Sequence, residues 1–232
     1  MKQNTERNNK PINNGFPLFP LMNEKDSIEL IDELLINDFI KDAMTHTKRS
    51  MSRFPNNQAF NRREADIYFR QEVYDKALWI YNRIENQKDS PKRLLSLAVK
   101  EMNSNKLAEA EERVRELRLN KSVDISSRAY SILADIAFLK NDYKGMYRWS
   151  REAIKRNPFL DSFARQFYKA VELTNNHHKS IPFYETLIDD NPYSSQMWLH
   201  LSKCHEKLGY KTQANDCLDM VCLLYTSPSP RD

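Results

Sequence analysis

Few side chains in this sequence could do metal or covalent chemistry. His177 and His178 stand together in "LTNNHHKS". Imidazole is a common metal ligand, but adjacent side chains on one turn do not converge and no third ligand lies near. Both are expected as solvated turn residues. His200 and Cys204 are four apart, with His205 adjacent. On a helix that spacing shares one face, as a His/Cys ligand pair would need. The competing reading, which we adopt, sets His205 in a core aromatic slot with Cys204 packed behind it and leaves His200 exposed. Cys204, Cys217 and Cys222 are an odd set without close spacing, which argues against a disulfide framework or a structural zinc. There is no serine nucleophile elbow, no Gly-rich phosphate loop and no carboxylate pair in an evident cleft. Acids such as those of "EAEERVRE" belong on solvated faces. No enzyme, cofactor or metal is therefore expected. Asn120-Lys121-Ser122 matches a glycosylation acceptor, but no secretion signal accompanies it.

Composition narrows the elements that could carry a site. Only 3 of 232 residues are Gly, which disfavours β turns and nucleotide-binding loops. Bases (36) nearly balance acids (32), without the clustered excess of a nucleic-acid binder, so nucleic acid is not the expected partner. No run of about 18 apolar residues occurs, so no membrane-spanning helix is expected. The opening "MKQNTERNNKPINNGF" lacks the apolar core of a signal peptide. Together these point to the cytoplasm.

Two stretches, "NDYKGMYRWSREAIKRNPF" and "HHKSIPFYETLIDDNPY", are helical runs closed by Asn-Pro, with Pro158 and Pro192 34 residues apart. Proline cannot continue a helix and pushes the preceding residue out of the α region. Each Asn-Pro thus ends one helix and opens a new unit. Residues between them recur in phase: Tyr130, Leu133, Ala134, Ala137, Met146, Ser150 and Ala153; then Ala164, Phe167, Tyr168, Val171, Ser180, Tyr184 and Leu187; then Trp198, Leu201, Ser202, His205, Ala214, Leu218 and Val221. Earlier stretches repeat the pattern less fully, through Ala65, Tyr68, Ala77 and Tyr81, and through Ala98, Ala110, Val114 and Leu117.

These positions resemble the tetratricopeptide repeat (TPR). The resemblance covers about residues 26–221. It implies an all-α, right-handed superhelical solenoid of about six antiparallel helix pairs. The units are about 26–57, 58–90, 91–126, 127–160, 161–194 and 195–221, with extra residues in the loop "NKSVDIS". Physical reasoning agrees. Small residues where paired helices cross allow close approach, and larger ones fill between them. One hairpin cannot bury its faces alone, so units stack.

Solenoids of this family bind on the concave face of the first helices. Carried onto this sequence, that face holds Arg62, Arg63, Asp66, Phe69 and Arg70. Lys92, Val99 and Met102 follow, then Arg128, Asp135 and Phe138. The last units add Arg165, Lys169 and Glu172, then Lys203, Glu206 and Lys207. The bases outnumber the acids, Arg forks suit carboxylates, and Phe69 and Phe138 could seat apolar side chains. The family's carboxylate clamp needs a Lys-Asn pair where this chain has Arg62 and Asp66, so that role is not implied. The expected function is a non-catalytic scaffold for a protein or peptide partner, with an acidic or C-terminal segment in the groove. The alternatives are a nucleic-acid-binding helical repeat, which would need a continuous basic stripe, and a regulatory domain of a longer enzyme.

Both ends stand apart. Residues 1–25 are expected to be disordered or extended, with Phe16–Met22 either capping the first unit or serving as a linear motif. Residues 222–232, "CLLYTSPSPRD", resemble the codon-for-codon translation of a transposase-based sequencing adapter. They are read as an artefactual tail that stands in place of the natural continuation, which is expected to run on from Val221 with further helices.

Overall fold

Every helix pair in this chain turns in the same way, and the turns explain the repeat. The computed structural model describes residues 22–84 and 89–226, and the expectations for residues 1–21 and 227–232 fall outside them. Twelve helices are described. They pair as α1 (Glu24–Ile36) with α2 (Ile40–Arg53), α3 (Gln58–Arg70) with α4 (Tyr74–Tyr81), and α5 (Pro91–Asn103) with α6 (Leu107–Leu117). Then follow α7 (Val123–Leu139) with α8 (Tyr143–Arg156), α9 (Asp161–Thr174) with α10 (His177–Asp190), and α11 (Ser195–Lys207) with α12 (Lys211–Thr226). No strand occurs among the described residues. Within each pair one residue takes the left-handed conformation: Asp38, Glu72, Asn105, Asn141, Asn175 and Gly209. The next amide donates back five residues, as in Val73 N–H to the Tyr68 carbonyl (2.9 Å) and Asp142 N–H to the Ala137 carbonyl (2.8 Å). This is the Schellman stop, which satisfies the last carbonyls of the first helix while reversing the chain.

The second helices end where proline dictates. α8 stops at Arg156 and α10 at Asp190; Asn157 and Asn191, each before a proline, have left the helix at φ −140° and −143°. One junction differs from expectation. Residues 123–126 of "NKSVDIS" do not form a loop. They add a turn to the start of α7, at 17 residues the longest of the described helices. Ile125 and Ala129 on that end are buried, and burial outweighs the β-branched propensity of the segment.

The chain divides into two compact units, Met1–Glu64 and Ala65–Asp232. In the first, Ile31, Ala43 and Phe60 are fully buried, and Arg63 forks onto Asp32 (Nε–Oδ1 2.9 Å). In the second, a continuous core runs through successive pairs, with Ala98, Ala110, Ala129, Ala153 and Ala164 at the helix contacts and Phe167, Tyr184 and Leu201 between them. Small side chains bring the helices close enough for a bond between them. The Ser202 hydroxyl donates to the Ala214 carbonyl across α11 and α12 (2.9 Å). α12 continues unbroken through Cys222 to Thr226, leaving Leu223 and Tyr225 exposed.

Candidate functional site

Helical spacing puts Val99 and Met102 on one face of α5, Ser131, Asp135 and Phe138 on one face of α7, and Arg165, Gln166 and Lys169 on one face of α9. These faces converge on a cavity of about 330 Å³, closed at one side by Glu72 and Tyr74 from the α3–α4 turn. Its floor is apolar. Its polar groups are of two kinds. Deep in the wall, the Gln166 amide donates to the Ser131 carbonyl (2.9 Å) and to Asp135 Oδ1 (2.6 Å). Burial pushes the Asp135 carboxyl up to about 6, against the lowering pull of the Gln166 bond and of Lys169. At the rim, Arg165 and Lys169 are exposed, and neither has an ion-pair partner among the described residues. The Lys169 ammonium rests 3.7 Å from the Phe138 ring centroid.

Six residues expected on the binding face therefore meet at this cavity: Val99, Met102, Asp135, Phe138, Arg165 and Lys169. Others do not. Phe69, expected to seat a partner's side chain, is fully buried. Arg128, expected in the groove, is 2% exposed. Its guanidinium bonds Asp124 (2.8 Å), the Tyr74 hydroxyl (3.0 Å) and Glu72 (3.3 Å) and lies 5.0 Å from the Phe69 ring centroid. Buried charge survives only with such partners, so Arg128 is a structural residue. Asp66 is engaged by Lys92 (2.8 Å) and the Tyr81 hydroxyl. Arg62 and Arg63 lie in the Met1–Glu64 unit, Arg63 held by Asp32. Arg70 and Glu172 are exposed, and Lys203 lies 5.1 Å from the Tyr168 ring centroid. The sequence reading missed Glu72, Tyr74, Ser162 and Gln166. The signal for Gln166 was its place beside Arg165 on the same helical face; that for Glu72 was a glutamate where the other turns carry Asp, Asn or Gly, and Tyr74 had none.

The histidines are also rearranged. His177 begins α10 and is buried, while His178 is exposed. His200 is buried as well, its ring stacked on Tyr168 at 4.6 Å and 6°. His205 and Cys204 are buried as expected. Burial raises the Cys204 thiol to about 12, an unreactive state. Among the described residues no group of three or more His, Cys, Asp or Glu could hold a metal ion, and no helix is long and apolar enough to cross a membrane.

Repeated helix pairs, Schellman turns and a cavity on the first-helix face define a TPR-like repeat fold. No protein-family model and no curated protein sequence matches the chain. Solved structures do. One is a tetratricopeptide repeat protein from Parabacteroides merdae, 14% identical over 88% of this chain and 79% of that one, TM-score 0.54. A second is pilF of Pseudomonas aeruginosa, 12% identical over 88% of this chain and 92% of that one, TM-score 0.54. A third is a monomeric mutant of IFIT1 with m7Gppp-AAAA, 14% identical over 88% of this chain and 51% of that one, TM-score 0.60. At these identities the likeness is one of fold.

Proposed function

We propose that this protein is a non-catalytic interaction scaffold that takes a peptide segment of a protein partner into the α5–α7–α9 cavity, an apolar side chain entering it and an acidic residue meeting its rim. The observation that carries this reading is the placing of Arg165 and Lys169. They stand one helical turn apart at the edge of an apolar floor, exposed and in no ion pair among the described residues, with only the buried Asp135 beneath Lys169. A carboxylate on the partner would give both an ion pair, and Arg offers it a two-pronged bond. At about 330 Å³ the cavity has room for one large apolar side chain. Asp135 gives the site a pH response: its protonation below about 6 removes a negative charge beneath the rim.

The test uses an array of short peptides pairing Leu, Met or Phe with Asp or Glu at neighbouring positions. Arg165→Glu with Lys169→Glu should weaken the best binder about tenfold or more, the effect of losing about 1.4 kcal/mol, with the helical signal unchanged. Equal binding by the charge-reversed variant refutes the site. Salt-sensitive retention of single-stranded RNA, with no peptide bound, replaces the reading with a nucleic-acid one.

A further inference from the structure

The six turns within helix pairs place Asp38, Glu72, Asn105, Asn141, Asn175 and Gly209 in the left-handed region. Asp, Asn and Gly reach that conformation at low cost; Glu does not. The turn asparagines bond locally: Asn141 accepts from Tyr143, and Asn175 meets His177. Glu72 reaches away from its turn. Its Oε1 accepts the Ser162 hydroxyl proton at 2.8 Å and an Arg128 N–H at 3.3 Å. Ser162 lies in the first turn of α9, 90 residues further along the chain. There the cap position is Leu160, which offers no side-chain bond; the first turn carries Asp161, and the Glu72 carboxylate adds a second negative charge at the positive helix end. A residue held at backbone cost while its side chain spans two helix pairs is a feature that turn chemistry does not explain.

We infer that Glu72 is a clasp: it holds the α3–α4 turn against the start of α9, closing the gap between Glu72 and Ser162 in one wall of the cavity, and its release opens that gap while Tyr74 stays on Arg128. Two features let the clasp open without unfolding the chain. When Glu72 leaves, buried Arg128 keeps Asp124 and the Tyr74 hydroxyl as partners. The Glu72 side chain is 37% exposed, so water can take its place on Ser162. The clasp stands on this geometry whatever ligand the cavity takes.

Hydrogen exchange of the full chain tests it without a ligand. In Glu72→Gln and in Ser162→Ala, amides of the α3–α4 turn and of the first turn of α9 should exchange about five- to tenfold faster, the scale of one lost hydrogen bond to a part-exposed group. Those of α11 and α12 should not change. Glu72→Asn, which relieves the left-handed strain but is too short to reach α9, should show the same local acceleration with a melting temperature at or above that of Glu72→Gln. Unchanged exchange in Glu72→Gln and Ser162→Ala overturns the clasp, as does acceleration spread evenly over α5 to α12. Neither result bears on the peptide test at Arg165 and Lys169.

Discussion

Replacing His200 with Phe should flatten the acid limb of the protein's stability curve. The His200 ring is 4% exposed and stacked on Tyr168, and neither nitrogen has a hydrogen-bond partner among the described residues. Burial first, and then the positive charges of Lys203 and Arg165, lower its pKa from 6.5 to about 4. Around it, the Tyr168, Tyr184 and Cys204 side chains stay neutral, their pKa values all raised by burial. A base with a depressed pKa binds fewer protons folded than unfolded. Its contribution is thus complete above the unfolded value of 6.5 and is lost as pH falls toward 4. At about 1.36 kcal/mol per pKa unit, the loss between about pH 8 and pH 5 comes to about 2 kcal/mol, and it levels at about 3 kcal/mol below pH 4. Phe keeps the stacked ring and has no proton to take up. Its cost at neutral pH should be small, because the nitrogens it replaces are unsatisfied. Asp135 pulls the other way. Its raised pKa makes the folded state bind more protons, so the stability it contributes at low pH is lost as pH rises through about 6. That term is common to both proteins and cancels in their difference. Urea unfolding followed by far-UV circular dichroism measures the difference. The variant should gain about 2 kcal/mol on wild type between about pH 8 and pH 5. Parallel curves would refute the buried, neutral His200.

Two further predictions concern the last helix pair. Ala214 is 6% exposed where α12 meets α11, with its carbonyl bonded by Ser202, so Ala214→Trp should cost at least about 1–3 kcal/mol; an unchanged melting temperature would place the helix crossing elsewhere. Deleting residues 222–232 should cost no more than about 0.5 kcal/mol, since Cys222, Leu223 and Tyr225 are exposed on α12; unfolding of the domain on deletion would show that the tail is structurally required.

What could be read in advance was what a residue does to its own neighbourhood. Pro158 and Pro192 act on the single residue before them, so helix ends followed from sequence. The small residues Ala134, Ala153 and Ala164 and the large Phe167 and Tyr184 are buried because helical period alone decides which face they share. His200 was misjudged because its burial depends on Tyr168 of the preceding pair, and a polar side chain read alone belongs outside. Half of the Arg128 story was visible, since Asp124 stands four residues before it. The other half, Glu72 and Tyr74, lies more than fifty residues away in sequence and arrives only when the chain curls. The same holds for the cavity. Periodicity could put Asp135 with Phe138, and Arg165 with Lys169, on single faces, yet one side of the cavity comes from the α3–α4 turn meeting α9. A turn residue of the wrong type was nevertheless in plain view. Among Asp38, Asn105, Asn141, Asn175 and Gly209, a glutamate at the corresponding place departs from what the local backbone favours. Such a departure from a local rule marks where a distant contact has prevailed over it.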